Sequence, residues 1–389
     1  MLQLTREGPK RDLRIDLARG LALLFIFIDH IPGNWLSDYT LRNFALADAT
    51  EAFVLLAGYA AGLSYGSTAD RHGWLFAAAD AVRRAGTLYV AHILVLVVVT
   101  AQVGFSAQAL NPVYIEEMRL DPFAGEPYKA MLEALLLRYQ PNLLNILPLY
   151  VVLLLMLVPA LALRRRPALL LGISGLLYVF TRLSEVNFPN WLEGGWFLNP
   201  LAWQVLFFIG CVLGYSPAGQ ETPTLPKSRF ITAAAAFFAL TCAGVMLAFW
   251  TVPDWAPGIP GRIARLLSSV DKTGLHPLRL LSILSLAWLA ARLVPRHAGW
   301  LRGWAVWPLV LMGQQGLPVF CSGIFLSFLG RIALEYRDDL AAQIVVNLAG
   351  TLMMVAVAVI SAWYQEKGRE QRPARVTPAV SPAPLPGAD

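Results

Sequence analysis

Runs of mostly apolar residues, separated by short polar connections, follow one another along almost the whole chain. A transmembrane helix needs about 20 consecutive residues of this kind. Windows of that length predict ten spans, at 15–34, 49–67, 85–105, 143–163, 168–183, 200–215, 230–250, 277–294, 304–330 and 340–364. The pattern therefore predicts an all-α, polytopic integral membrane protein, with a single transmembrane domain over residues 1–368.

Three segments outside these spans have patterns of their own. The connection 106–142 contains EPYKAMLEALLLRYQ, whose apolar and charged positions predict a helix that lies on the outer membrane surface or packs over the mouth of the bundle. The connection 251–276 combines prolines and glycines with charged residues and predicts an ordered loop. Residues 369–389 are proline-rich and lack aromatic residues, which predicts a disordered cytoplasmic tail.

Composition supports a membrane protein. Hydrophobic residues make up 57% of the chain and charged residues 14%, with a mean hydropathy of +0.56, whereas about a quarter of the residues of a soluble protein are charged. Cys211, Cys242 and Cys321 lie in apolar runs without the spacing of a disulfide framework or a zinc site, so we expect no metal. We therefore expect the chain to lie in a lipid bilayer. The net charge of +6 is explained by the orientation of the chain in the membrane, so no nucleic-acid partner is predicted.

The positive charges indicate the orientation of the chain. Most of the 31 Lys and Arg residues lie in the connections that share one side of the membrane with the two termini. The positive-inside rule then places both termini in the cytoplasm, in agreement with an even number of spans. The first apolar run has no small-residue cleavage site, so we expect it to remain as the first span rather than to be removed as a signal peptide.

The first span, RIDLARGLALLFIFIDHIPGN, carries Asp16 and Arg19 near its start and Asp29 and His30 at its end. Arg19 and His30 are eleven residues apart, which places them on one helical face, about 16 Å apart along the axis. Pro32 disfavours helical geometry just before it, so the helix should end at His30. Ionisable groups inside a membrane are costly and are typical of functional sites. The alternatives are an Asp16–Arg19 ion pair and a capped helix end that faces lipid headgroups.

The second span, ADATEAFVLLAGYAAG, brings Asp48 and Glu51 to the predicted depth of His30. A carboxylate beside an imidazole orients the ring, as a general base requires, so we predict that His30 is the base and that Asp29 or Glu51 orients it. Gly58 and Gly62 have the small-xxx-small spacing that lets a transmembrane helix pack closely on a neighbour.

Other polar residues interrupt the apolar runs in the predicted outer half of the membrane. Each of them alone is explained by a helix cap, a snorkelling side chain or an interhelical hydrogen bond. Their agreement in depth with His30 instead favours an outward-facing substrate site. The predicted substrate-binding residues are Asn34, Asp48, Asn145, Asn199, Gln204, Lys272 and Arg279.

On the inner side, Arg19, Arg83 and Arg84 are candidates for binding an anionic donor from the cytoplasm. A cation such as Lys272 or Arg279 beside the outer site would favour a dicarboxylic acyl chain.

Several segments together resemble the OpgC family of membrane proteins, which succinylate osmoregulated periplasmic glucans. They are RIDLARGLALLFIFIDHIPGN, DATEAFVLLAGYAAGLSYG, LNILPLYVVLLLMLVPA, NPLAWQVLFFIG, DKTGLHPLRLLSILSLAW and GQQGLPVFCSGIFLS. The spacing of Arg19 and His30 also resembles the Arg-x10-His pattern of the broader acyltransferase-three superfamily. Where that superfamily has a serine before the glycine of the second span, this chain has Ala57, so this position supplies no hydroxyl.

The resemblance implies a ten-span enzyme of the bacterial inner membrane with His30 as catalytic base and Arg19 as the arginine of the pattern. It further implies succinyl-coenzyme A as the cytoplasmic donor substrate, no permanently bound cofactor, and glucose hydroxyls of a periplasmic glucan as acceptors. Direct transfer and an acyl-histidine intermediate both fit the sequence. The alternative function is a proton-coupled transporter or flippase that uses Asp29, His30 and Glu51 as a proton relay. For the oligomeric state, the sequence is compatible with a monomer and with a homodimer.

Overall fold

The structure is a computed structural model, and it describes residues 12–192, 194–217, 226–251 and 268–370. Within these parts of the chain, the regular elements are helices, and no strand is found. Most of the predicted loop 251–276, and the predicted tail beyond residue 370, lie outside the described residues.

Fifteen α-helices are numbered in chain order within the described ranges. They are α1 (Leu13–Asp29), α2 (Ala49–Ala61), α3 (Ser67–His72), α4 (Trp74–Ala109), α5 (Val113–Glu117), α6 (Asp121–Gly125), α7 (Pro127–Leu135), α8 (Ile146–Ala160), α9 (Pro167–Ser184), α10 (Pro200–Gly214), α11 (Arg229–Thr251), α12 (Pro277–Leu293), α13 (Trp307–Gln314), α14 (Gly316–Tyr336) and α15 (Leu340–Glu370). Short 3₁₀ helices cover Trp35–Tyr39, Leu41–Asn43, Leu161–Leu163 and Gly299–Arg302, and a π-helical turn at Gly62–Gly66 joins α2 to α3.

The helices agree with a polytopic membrane protein. Each predicted span overlaps at least one of them, and six helical segments in the described residues are long and apolar enough to cross a membrane. These six are Trp74–Ala109, Ile146–Leu163, Pro167–Ser184, Arg229–Ala248, Gly316–Tyr336 and Leu340–Gly368. The spans predicted at 15–34, 49–67, 200–215 and 277–294 correspond to the shorter helices α1, α2, α10 and α12. The count of ten spans and the cytoplasmic termini stay predictions.

One predicted span is divided in two. The run 304–330 forms α13 and α14, and Gln315 between them has non-helical backbone angles (φ −106°, ψ 38°). The physical reason is Pro318, which has no N–H and whose ring would clash with the carbonyl of Gln314 in a continuous helix. The predicted span 304–330 therefore consists of two consecutive helices.

Glycines bring α2 and α10 into close contact. A Cβ atom at Gly58 would lie 2.0 Å from the carbonyl oxygen of Phe207, and one at Gly62 would lie 2.0 Å from that of Cys211. From the other helix, a Cβ atom at Gly214 would lie 2.0 Å from the carbonyl oxygen of Tyr59. Only glycine allows the two backbones to approach so closely. The predicted packing role of Gly58 and Gly62 is confirmed.

Helix α1 lies at the centre of the bundle, where it packs against α2, α13 and α14. Its amino-terminal half approaches α13 as closely as α2 approaches α10, since a Cβ atom at Gly20 would lie 1.9 Å from the carbonyl oxygen of Leu309. Further along the helix, Leu23 and Phe27 are each 1% exposed. These contacts fix the position of the carboxyl end of α1, where His30 follows.

Helix α7 confirms that the connection 106–142 contains a helix. Its alanines, Ala130 and Ala134, are fully buried against the protein, while Leu132 is 55% exposed. The helix therefore packs on the bundle with one face and presents apolar side chains outwards with another.

The other end of the bundle is held by a cluster around Asp70 in α3. The Asp70 carboxylate accepts hydrogen bonds from Tyr215 Oη (2.8 Å), Arg164 Nε (2.9 Å) and Arg165 Nη2 (3.0 Å). Burial raises the pKa of the Asp70 carboxyl, but these hydrogen bonds outweigh it and hold the pKa below its usual value. The cluster joins the end of α10 and the connection before α9 to α3.

Candidate active site

The carboxyl end of α1 opens into a cavity of about 610 Å³. The cavity lies between this helix end, the connection to α2, the α5–α8 region and the loop before α12. It is lined by Ile26, Asp29, His30, Pro32, Arg42, Asp48, Ala49, Thr50, Glu117, Met118, Arg119, Gln140, Asn142, Leu143, Asn145, Ile146, Asn190, Phe197, Leu198, Lys272, Phe328 and Arg331. It therefore brings an imidazole together with carboxylates, amides and cations.

His30 is the cap residue of α1, as its sequence position predicts. Its Nδ1 atom lies 2.5 Å from the carbonyl oxygen of Ile26, one helical turn earlier. A carbonyl oxygen only accepts hydrogen bonds, so Nδ1 carries the proton and donates it. The other ring nitrogen, Nε2, is then left with its lone pair, and the ring lines the cavity. This tautomer is the one that a general base at this position requires.

The group that orients the imidazole ring of His30 is not one of the predicted carboxylates. Neither Asp29 nor Glu51 makes the hydrogen bond that orients the imidazole, and the carbonyl of Ile26 makes it instead. The carbonyl oxygen of Ile26 also accepts the backbone N–H of His30 at 3.2 Å, and its second lone pair is available to the imidazole of the same residue. The expectation of an orienting carboxylate is wrong, because both carboxylates have other partners.

Asp29 is fixed by the connection that follows α1. Its Oδ1 atom accepts a hydrogen bond from Thr40 Oγ1 at 2.6 Å and lies 3.7 Å from Arg42 Nε. The backbone N–H of Thr40 donates to the carbonyl of Ser37 at 3.2 Å, within the 3₁₀ helix Trp35–Tyr39. Asp29 therefore lines the cavity next to His30 while it holds the connection against the end of α1.

A cluster of four charged side chains lies at the amino-terminal end of α2. Asp48 and Glu51 form a capping box: the Asp48 side chain accepts from Thr50 N at 2.7 Å, and Glu51 Oε2 accepts from Asp48 N at 2.9 Å. Lys272 Nζ donates to Asp48 at 2.6 Å, and Arg279 Nε donates to Glu51 at 2.6 Å. Two carboxylates and two cations thus compensate one another.

Only part of this group faces the cavity. Asp48 and Lys272 line it, whereas Glu51 is fully buried and, like Arg279, lies behind its wall. Arg279 also reaches Asp48 through Nη2 at 3.1 Å, which links the two layers.

The four predicted amide residues separate into two groups. Asn145 lines the cavity at the start of α8. Asn34 does not line it, and forms a buried reciprocal pair of hydrogen bonds with Asn347 in α15, each at 2.9 Å. Asn199 caps α10, and Gln204 exchanges hydrogen bonds with α9. The last three hold helices together, which is the alternative that the sequence left open for each of them.

The predicted donor-binding arginines lie towards the other end of the bundle. Arg19 donates to the carbonyl oxygens of Gly313 (3.4 Å) and Leu56 (3.3 Å), and so joins α1 to α13 and α2. Arg83 is exposed and pairs with Asp80 at 2.8 Å. Arg84 is half-buried. None of the three lines the cavity beside His30.

Sequence reasoning missed three cations of the cavity wall, Arg42, Arg119 and Arg331. Arg119 and Arg331 reach the cavity through the packing of α5, α6 and α14, and no local pattern contains that information. Arg42 had a weak signal, because the connection from His30 to Asp48 starts and ends at the predicted site.

In the described residues, the apolar helices and the polar cavity are those of an all-helical membrane protein with a site suited to proton transfer at the end of α1. The family model described as OpgC protein matches residues 11–366. The chain belongs to this family, which indicates an acyltransferase-type enzyme with a role on glucans. No match was found among curated proteins or among solved structures.

Proposed function

We propose that the protein transfers a succinyl group from cytoplasmic succinyl-coenzyme A to glucose hydroxyls of periplasmic glucans, in the bacterial inner membrane. One observation supports this chemistry above the others. His30 lines a cavity large enough for a sugar unit, and its hydrogen bond to the carbonyl of Ile26 leaves Nε2 as a base.

In the proposed reaction, a sugar hydroxyl enters the cavity from the outer side and donates its hydrogen bond to His30 Nε2. His30 removes the proton as the oxygen attacks the thioester carbonyl. The bond between the carbonyl carbon and sulfur then breaks, and the departing thiolate takes a proton from the imidazolium. The products are the sugar ester and free coenzyme A, and His30 returns to its neutral form.

The acceptor has polar partners in the cavity wall. Asn145 offers an amide donor and acceptor, and Asp48 with Lys272 offers a paired carboxylate and ammonium group. Sugar hydroxyls both donate and accept hydrogen bonds, so such mixed partners suit them. Glu51 and Arg279 act from behind the wall by holding Asp48 in place.

The donor is proposed to approach from the opposite end of the bundle. The exposed guanidinium of Arg83 and the neighbouring Arg84 would attract the phosphates of coenzyme A. The pantetheine arm would then extend beside α1, past Arg19, so that the thioester reaches His30. The even number of predicted spans and the positive-inside rule support a cytoplasmic location for this end.

The test is acyl transfer by the full chain in proteoliposomes supplied with succinyl-coenzyme A and a periplasmic glucan. His30→Ala is expected to lower the rate of acceptor-dependent thiol release by about 10²- to 10⁴-fold, the usual contribution of a general base. His72→Ala removes an imidazole at the other end of the bundle and should leave the rate unchanged. Near wild-type transfer by a folded His30→Ala variant would refute the assignment.

The helix break at Gln315 supports a second candidate, since discontinuous helices beside ionisable residues are typical of transporters. This candidate is a proton-coupled transporter or flippase that uses Asp29, His30 and Glu51. The same proteoliposomes separate the two functions. Thiol release that requires acceptor supports the enzyme, and movement of substrate across the bilayer without thiol release supports the transporter.

A further inference from the structure

Four cations line the cavity, and they differ in how tightly they are held. Lys272 Nζ donates to Asp48 at 2.6 Å and to Thr50 at 3.0 Å. Arg331 forms ion pairs with two carboxylates, Glu117 at 2.9 Å and Glu335 at 2.5 Å, and its side chain is 18% exposed. Neither cation is available to an incoming anion unless it first leaves these partners.

Arg42 is held much more loosely. Its contact with Asp29 is long, 3.7 Å from Nε to Oδ1, and 44% of its side chain is exposed. Within the described part of the chain, its guanidinium makes no hydrogen bond of ordinary length. A guanidinium carries five N–H donors, so Arg42 brings unused donors to the cavity wall.

Arg42 also lies where it can reach a group that reacts at His30. Asp29, its partner, directly precedes His30, and both residues line the same cavity as Arg42. Arg119, in contrast, enters from the connection between α5 and α6 and is exposed at the edge of the cavity.

Movement of Arg42 towards an anion leaves no carboxylate without a partner. Asp29 keeps its short hydrogen bond from Thr40, at 2.6 Å, whether or not Arg42 stays nearby. An arginine binds a carboxylate through two parallel hydrogen bonds, which is a better arrangement than its present contact with Asp29.

We propose that Arg42 binds the free carboxylate of the succinyl group while the thioester carbonyl lies at His30. This inference depends on the proposed function, and it assigns the residue that selects a dicarboxylic acyl chain. Two methylene groups separate the carbonyl carbon from the carboxylate, so the cation that recognises it must lie close to the base. The sequence suggested Lys272 or Arg279 for this role, but both are held by Asp48 and Glu51.

The experiment compares succinyl-coenzyme A with butyryl-coenzyme A, whose acyl chain has a methyl group in place of the carboxylate. Wild-type protein and variants are reconstituted with glucan, and kcat/KM is measured for each donor. Arg42→Gln is expected to lower kcat/KM for succinyl-coenzyme A by about 10- to 100-fold, the loss of a hydrogen bond to a charged group. The value for butyryl-coenzyme A should stay within about 3-fold, and Arg42→Lys should restore part of the preference.

Arg119→Gln is the matched control, because it removes the same charge from the same cavity. It should leave the ratio of the two kcat/KM values unchanged. Each variant is compared with the wild type by size-exclusion elution and thermal unfolding, and Arg42→Met provides a second neutral variant if Arg42→Gln does not fold.

The outcomes separate this inference from the proposed function. If the wild type transfers neither acyl group, the proposed function fails and this inference fails with it. If the wild type prefers succinyl-coenzyme A and Arg42→Gln keeps that preference, only the role of Arg42 is wrong. An equal loss with both donors also overturns it, since Arg42 would then support the site without recognising the carboxylate.

Discussion

The ion pair of Glu51 and Arg279 offers a sharp test of whether the buried charges hold the site or take part in the chemistry. Glu51 is fully buried, and its carboxylate accepts from Arg279 Nε at 2.6 Å and from Asp48 N at 2.9 Å. Arg279→Met removes the guanidinium and leaves a buried carboxylate with one backbone N–H. The structure predicts a large loss of stability from this single change.

The expected cost follows from the loss of one partner of a buried ion pair, about 3–5 kcal/mol of unfolding free energy. Glu51→Gln should cost less, because glutamine also completes a capping box and Arg279 keeps Asp48. The double variant Glu51→Gln/Arg279→Met removes both charges. It should therefore be more stable than Arg279→Met alone, with a coupling energy of roughly 1–3 kcal/mol.

The measurement is unfolding of purified protein in mixed micelles with an increasing fraction of denaturing detergent. Arg337→Met is the control, because its pair with Asp339 is exposed to solvent and should contribute little to stability. The reasoning is refuted if Arg279→Met is no less stable than Arg337→Met, or if the double variant shows the sum of the two single losses.

The single variant Glu51→Gln also tests function. If Glu51 only holds Asp48 and the start of α2, the folded Glu51→Gln variant, in which Arg279 still reaches Asp48, should keep most of the succinyl transfer. Loss of transfer in a protein that unfolds like the wild type would instead place Glu51 in the chemistry.

Two further predictions concern the helix contacts. Gly58→Ala places a Cβ atom 2.0 Å from the carbonyl oxygen of Phe207, so it should lower the free energy of unfolding by at least about 1–3 kcal/mol. Gly86→Ala is the control, because its Cβ atom meets open space and the change should be neutral or stabilising. Equal unfolding midpoints for the two variants would contradict the close packing of α2 on α10. Asp70→Asn removes a carboxylate whose pKa is lowered in the folded protein. That contribution is complete above the unfolded-state pKa of about 3.9 and is lost as the pH falls through the folded-state pKa. The variant should therefore melt below the wild type at pH 7, and a difference that persists unchanged at pH 3 would exclude this origin.

The sequence predicts the helices well where the information is local. Long apolar runs can only satisfy their backbone in a membrane as helices, and the end of α1 follows from Pro32. The close contact of α2 with a neighbour follows from Gly58 and Gly62, but the partner, α10, does not. The break before α14 also has a local cause in the sequence, Pro318. The prediction of spans used only the apolar character of the run and therefore did not detect this break.

The site is less predictable, because its wall is assembled from distant segments. Asp48 and Lys272 were predicted to share a depth with His30, and the structure places them in one cavity. Asn34 and Gln204 were predicted at the same depth. The packing of the chain nevertheless directs Asn34 towards Asn347 and Gln204 towards α9. Depth in the membrane can be read from a sequence, whereas the direction in which a side chain points depends on how the helices pack.

The positions of His30 and Arg42 suggest how such a site separates its two tasks. His30 lies at the end of α1, which is packed on several sides and fixed against α13 at Gly20, so the base has a rigid support. Arg42 lies in the connection to α2, which Thr40 ties to Asp29 by a side-chain hydrogen bond. If Arg42 and His30 have the proposed roles, a substitution in this connection should alter the charge that meets the acyl chain without moving the base. The choice of acyl group would then change by replacing one residue of the connection, while proton transfer would depend on the helix.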